Sequence, residues 1–505
     1  MTSNHRNTGA PPDIVLIMTD QHRAGFTAGD GLELDTMPTL DRIARDGVRF
    51  TRAYTSYPAC VPARTSLLTG RFPTAHKVRQ NSTAQHAYYS EDLIDVLRGA
   101  GYHLAFSGKP HMHRSPNDFD EYAGPYWHAS GPQRCPEDTA FDAWLDQLDH
   151  GVHPEPTPFP LERQLPYRIV SDAIAAVKGR PVDRPSFLWV SFPEPHNPYQ
   201  VPEPYFSLFD ADEVPDRLAG PEAMAQLTRR YRWLHQLAEE KRPGYDEGWR
   251  RYRANYLGML RLIDDLIARL LAAVEDHGKE TVIIFVSDHG DYVGEYGLQR
   301  KGAGMSDFLM RIPLVFSGGG SVGGQQREEL VSMVDLLPTV CELVGADIPP
   351  GVQGRSLAPL LRQEPVPAAE FESIYAELGY GGISYDEHDR PPLHFSYDGI
   401  TYDELNSVTQ SGGERMVRVG DHKLIMDDRG AGQLFNLATD PAELDNKFDD
   451  PDYGEARNRL LRLLVRWMIR VADDLPKGAY LARTAEHNWR WAATAASDPA
   501  SGGPA

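Results

Sequence analysis

Residues 281–291, TVIIFVSDHGD, run from an apolar, β-branched stretch straight into Asp288, His289 and Asp291. A short run bounded by polar and turn residues reads as a buried strand. Its lack of alternation fits a strand covered on both faces, as in a parallel sheet. Just upstream, from about Arg250 to Asp276, Leu260, Ile263, Ile267, Leu270, Leu271 and Val274 recur at three- and four-residue spacing, and Gly278 follows as a stop. That is the apolar stripe of a helix facing a core. Similar strand candidates lie at Ile14–Met18, His103–Ser107, Phe187–Phe192 and Ile312–Phe316, with helical stretches between them. The alternation predicts an α/β fold, a large, mostly parallel sheet flanked by helices.

The character changes after about residue 365. Residues 377–415 are rich in Tyr, Gly and Asp without clear periodicity, MVRVGDHKLIMD and GQLFNLATDPAE read as antiparallel strands, and Leu460, Leu461, Leu464 and Trp467 mark a helix. The expected division is an α/β domain over residues 1–365, a smaller C-terminal α+β subdomain over 366–492, and a low-complexity, disordered tail over 493–505. A proline-rich stretch at 110–166 is long for a connection and reads equally as functional loop or surface insertion.

The chain has 505 residues, 41% hydrophobic and 24% charged, with 51 Lys+Arg against 72 Asp+Glu, a net charge of −21. This is the composition of a globular protein with a sizeable core. The acidic balance argues against nucleic acid as a main partner, but a local basic pocket still allows an anionic small substrate. The Ile14–Met18 run is too short for a signal peptide or a membrane span. Three cysteines make no disulfide framework. The expectation is a cytoplasmic protein without membrane or nucleic-acid partners; a homo-oligomer is left open, with Tyr385 and His388 available to a subunit interface.

Four strand candidates end in chemistry-bearing residues: Asp20 and Gln21; Lys109, His111 and His113; Glu194, His196 and Asn197; Asp288, His289 and Asp291. Ligands of open α/β sheets bind beyond the carboxyl ends of the strands, so these groups can converge. One Asp after a strand is most often a helix cap; four such strand ends together are not. Asp20, Gln21, Asp288 and His289 suit one divalent cation, with oxygen ligands favouring Ca2+, Mg2+ or Mn2+ and the imidazole tilting toward Mn2+ or a later metal. Lys109 and Lys301 add the charge needed to hold a tetrahedral oxyanion. Cys60, in YPACVPARTSLLTGRFPTAHKVRQN, falls just before a helix N-terminus with Pro62 near the start and Gly70 as the stop, a place that favours anions. Read alone, Cys60 is a buried structural thiol.

Cys60-Val-Pro62-Ala-Arg64 followed by Leu68-Thr69-Gly70-Arg71 resembles the signature of the sulfatase family, within the alkaline phosphatase superfamily. The likeness extends over most of the chain, through Asp20-Gln21, Lys109-x-His111, Pro195-His196-x-Pro198-Tyr199, Tyr252-x-x-x-Tyr256, Ser287-Asp288-His289-Gly290, Lys301 and Val334-Asp335-Leu336-x-Pro338-Thr339. Ala63 stands where many sulfatases have Ser, outside the minimal Cys-x-Pro-x-Arg core. The resemblance implies that a formylglycine-generating enzyme transiently binds the chain and oxidises Cys60 to formylglycine (3-oxoalanine). It further implies one divalent metal ion, Ca2+ or Mn2+, on Asp20, Gln21, Asp288, His289 and the modified Cys60. Arg64 would hold the hydrated aldehyde, Lys109 and Lys301 the oxyanion, and His196 would stand beside the leaving group. His111 resembles the base that regenerates the aldehyde, and Asn81 a further oxyanion contact, although Asn81 reads equally as a turn residue. The implied reaction is hydrolysis of a small anionic sulfate ester to an alcohol and sulfate, with His196 or Lys301 as proton donor.

Two other readings remain. Gln21, His289 and the Asn81 context are similar to phosphonate monoester and phosphodiester hydrolases of the same family, while Lys109 and His111 argue for the sulfatase branch. A non-catalytic binding protein on this fold needs a broken site, and every expected position is filled. The alcohol portion is not legible; aryl, choline, carbohydrate and alkyl sulfates share one head group. Glu194, Tyr199, Trp127 and Tyr380 are candidates for the walls around it.

Overall fold

A computed structural model describes residues 11–380, 388, 394–397, 400–403 and 412–472. The expected tail, Tyr385 and much of the 377–415 stretch lie outside the described residues. The main sheet is built from β1 (Asp13–Asp20), β2 (Val48–Tyr54), β3 (His103–Gly108), β4 (Glu121–Ala123), β5 (Ser186–Pro195), β6 (Thr281–Ser287), β7 (Arg311–Ser317), β8 (Gln325–Arg327) and β9 (Val331–Ser332). Its order is β4-β3-β5-β1-β6-β7-β2-β8, with β9 also on β2. All pairs are parallel except β6–β7 and β7–β2, so the fold is mostly parallel as the apolar runs predict. Those runs do not encode direction, and Ile312–Phe316, expected among the others, runs against its neighbours.

The two faces explain why β1 reads as continuous apolar sequence. Val15 and Ile17 join one core cluster with Ile169, Leu260, Ile263 and Ile267. Ile14, Leu16 and Met18 join a second with Leu67, Leu68, Leu97 and Leu337. Successive side chains of a strand point to opposite faces, and both faces here are covered by helices. The helix expected near 250–276 is Trp249–Glu275, and every apolar residue that predicted it is buried.

Beyond the main sheet, β10 (Ser373–Leu378) begins a second sheet. β11 (His394–Tyr397) and β12 (Ile400–Asp403) form a separate antiparallel pair. The second sheet is completed by β13 (Glu414–Val419), β14 (His422–Asp427) and β15 (Gly432–Asn436), antiparallel in the order β10-β13-β14-β15. Its outer face takes Leu460, Leu464 and Trp467 of the helix Gly454–Val471. Its inner face packs Ile374, Ala376, Met416 and Phe435 against Tyr54, Tyr57 and Ala59. The small sheet therefore clamps the segment that leads into Cys60. All three cysteines are free, and no helix among the described residues is long and apolar enough to cross a membrane.

Candidate active site

The helix Cys60–Thr69 places the cysteine. Ala59 is its extended N-cap, Cys60 is its first helical residue, and Gly70 ends it at φ 62°, a left-handed turn that glycine adopts without strain. Cys60 therefore lies inside the first turn rather than just before it, because Pro62 is accommodated at the third helical position, where its missing N–H has no partner to lose. All ten residues of the helix are buried.

Asp20 ends β1 and Asp288 follows β6, and the two strands are neighbours, so their carboxylates meet at one edge. Ligand atoms of Asp20, Cys60, Asp288 and His289 lie within 4.8 Å of one another, and all four residues are buried. Cys60 Sγ stands 3.5 Å from Asp20 Oδ1 and 3.3 Å from His289 Nε2. His289 Nδ1 donates to the Gly290 carbonyl at 2.9 Å, which leaves the Nε2 lone pair facing the cluster, the tautomer a metal ligand needs. Burial lowers the His289 pKa to about 4, so the ring is neutral. Gly290 is required beside it: a Cβ there would lie 2.0 Å from the Phe308 carbonyl oxygen.

Positive groups surround the acids. Lys109 Nζ donates to Asp20 Oδ2 at 2.6 Å. Arg64 donates from Nε to Asp288 at 2.9 Å and from an Nη to Asp20 at 3.1 Å. Its other Nη reaches Ser191 Oγ and the Lys109 carbonyl, so Arg64 ties the two carboxylates to β5. Burial acts to raise the Asp20 pKa, but Lys109, His196, Arg64 and Lys301 hold it well below the usual carboxylate range. Burial, reinforced by Asp20, pushes the Cys60 thiol up to about 11; it is protonated and a weak nucleophile at neutral pH.

Gln21 is held on every side. It is a non-glycine residue at φ 69°, strain of the kind stored at functional sites. Its backbone N–H donates to Asp288 and its carbonyl accepts from Tyr256. The side-chain amide donates to Asp291 Oδ2 at 2.6 Å and Tyr199 at 3.1 Å, and its Oε1 accepts from Lys301 at 2.8 Å. Asp291 in turn accepts from Tyr199 and Tyr252. The Tyr252-x-x-x-Tyr256 pair thus acts through Gln21, because residues four apart share one face of a helix. The two carboxylates and the inward-facing imidazole of the cluster are donors that fit a hard or borderline divalent cation.

The remaining predicted residues line the edge. Asn81 Oδ1 accepts the Val61 backbone N–H at 3.1 Å, capping the first turn beside Cys60. His111, at φ 27°, meets the edge of Trp127 at 5.8 Å. His196 stacks on His128 at 4.4 Å with rings 14° apart. Burial, with Lys109 as an added influence, holds His111 and His128 well below the usual histidine value. Burial does the same to His196, helped by Lys301. The 110–166 stretch therefore supplies part of the site through His111, Trp127 and His128. Reasoning from the chain alone missed His128 and Ser191 and gave Asp291 and Tyr199 no positioning role; Asp291 carried a signal in its place three residues after Asp288, and Tyr199, expected as a pocket wall, in the Pro195-His196-x-Pro198-Tyr199 motif.

Residues 12–346 match the family model described as Sulfatase. The chain is 27% identical to an arylsulfatase of Clostridium perfringens, over 90% of this chain and 94% of the relative. It is 28% identical to the multifunctional alkaline phosphatase superfamily protein PehA of Trinickia caryophylli, over 91% and 96%. Among solved structures, a phosphonate monoester hydrolase of Agrobacterium radiobacter superposes with a TM-score of 0.71 at 23% identity, covering 91% of this chain and 96% of that one.

Proposed function

The chain belongs to the sulfatase family, and we propose from that premise that it hydrolyses a sulfate ester through a formylglycine made from Cys60, releasing an alcohol and inorganic sulfate. The observation that carries the reading is Cys60 on the first turn of a buried helix, with Asp20, Asp288 and His289 ligand atoms within 4.8 Å. Asp20, Gln21, Asp288, His289 and the modified Cys60 would hold one divalent cation, Ca2+ or Mn2+, whose charge neutralises the anionic ester and acidifies a hydroxyl group beside it. Oxidation of Cys60 would replace a thiol that burial keeps protonated with an aldehyde whose hydrate is a competent oxygen nucleophile.

The chain's own residues orient and neutralise. Arg64 fixes Asp20 and Asp288 relative to each other. Lys109 and Lys301 bring two ammonium groups to the place where the ester oxygens gather charge, held there before substrate arrives by Asp20 and Gln21. His111 is neutral and so suited to accept a proton as sulfate departs. His196, which burial holds well below the usual histidine value, and Lys301 are the two candidates to protonate the leaving alcohol oxygen.

A second reading, a phosphonate monoester hydrolase on the same site, draws on Gln21 in the donor set and on Asn81 against the Cys60 turn. Hydrolysis of para-nitrophenyl sulfate and of the matched para-nitrophenyl phenylphosphonate separates the two. The first reading predicts the higher kcat/KM for the sulfate and loss of turnover in Cys60→Ala; a faster phosphonate overturns the preference, and an active Cys60→Ala overturns the assignment of the site.

A further inference from the structure

Glu194 lies near the C-terminal end of β5, two residues before His196, and is 8% exposed. Its Oε2 is buried without a hydrogen-bond partner. Leaving a buried carboxyl oxygen unpaired is costly, and an acid is not what an apolar strand needs there. In the β1–β5 register Asp20 pairs with Pro195, the residue after Glu194, which sets Glu194 beside the reacting centre, yet it is no member of the cation cluster. The same neighbourhood holds other unmet groups: Nδ1 of His111 and of His128, and Oδ1 of Asn197.

We propose that Glu194 is a substrate-recognition residue that hydrogen-bonds a free hydroxyl of the ester's alcohol portion. The unpaired Oε2 is an acceptor that a substrate hydroxyl satisfies, and burial, which pushes the carboxyl up to about 8, favours the form that can also donate. An apolar alcohol would leave Oε2 unpaired, and a site built to bond a hydroxyl rejects the analogue that lacks it.

This inference rests on the sulfate-ester reading, and its test separates the two. Cyclohexyl sulfate and inositol monosulfate share a ring and differ in hydroxyls, and sulfate release is followed for both. Wild-type protein is expected to favour the inositol ester in kcat/KM by about 30-fold or more, the cost of one buried group left unpaired. Glu194→Ala should bring that ratio to within about threefold, while Glu194→Gln, which keeps an oxygen and a donor in the same volume, retains most of it. A ratio that is the same in wild type and Glu194→Ala overturns the assignment while the hydrolase reading stands. No sulfate from either ester or from para-nitrophenyl sulfate, in protein whose Cys60 has been converted, overturns both.

Discussion

Asp291 is not a ligand in the proposed cation site, yet three side chains converge on it, and one of them is the Gln21 amide. Burial raises its pKa while Tyr252, Tyr199 and Gln21 donate to it. Asp291→Asn replaces one acceptor with a donor and weakens the hold on the Gln21 amide, which keeps its bonds to Tyr199 and Lys301. We expect divalent-cation affinity, read by titration with Mn2+ or Ca2+, to fall roughly 10- to 100-fold, the usual cost of losing an outer-shell partner; unchanged affinity would exclude Gln21 as a ligand. Single residues were unevenly legible in the chain. Asp20 and Asp288 announce themselves by their strand ends, and Cys60 by the Cys-x-Pro-x-Arg motif that resembles the sulfatase signature. Ser191 and His128 do not, since one serine in a strand and one histidine in a proline-rich loop carry no periodic signal; only the folded chain brings Ser191 to Arg64 and His128 onto His196.

The helix Trp249–Glu275 joins core to chemistry: its first turns carry Tyr252 and Tyr256 to the site, and its remainder buries Ile263 and Ile267 against the sheet. Ile263 is fully buried, so Ile263→Ala should lower stability by about 2–4 kcal/mol in urea unfolding. A second tie lies where Asp307, just before β7, meets the small sheet. It accepts from Lys423 at 3.1 Å and Arg418 at 3.3 Å. Burial acts to raise the Asp307 pKa, but Lys423, Arg418 and Arg311 bring it to about 2. A folded-state pKa below the unfolded value of about 3.8 gives stability that is present above that value and lost as pH falls toward 2. Asp307→Asn is thus expected to destabilise the protein near neutral pH by about 2–4 kcal/mol, and to flatten the fall in melting temperature between about pH 4 and pH 2; an unchanged acid profile would contradict the tie. Strand existence was readable here and strand sense was not: β7 is as apolar as β6, and only its pairing shows that it runs the other way. β2 escaped notice because Arg49 and Arg52 interrupt its apolar residues, Arg49 being buried against Asp30 and Asp41.

For the whole molecule, the two sheets act together: the main sheet delivers Asp20, Lys109, His196 and Asp288 from four strand ends, and the small sheet clamps the approach to Cys60. A bound cation that ties such distant segments stabilises the folded state by about 2.7 kcal/mol at a hundredfold excess over its Kd. Chelation with EDTA should therefore lower both sulfate release and melting temperature, and Ca2+ or Mn2+ should restore them; a melting temperature indifferent to chelator would argue against a resident cation. The parallel architecture was legible because both faces of its strands are buried, and the convergence of the site because ligands gather at strand carboxyl ends.

The most direct test is the mass of the tryptic peptide Ala53–Arg64, from protein made where a formylglycine-generating enzyme is present. The account predicts a peptide lighter than the cysteine form by about 18 Da, as thiol gives way to aldehyde. An intact thiol in protein that still releases sulfate at its full rate would contradict it.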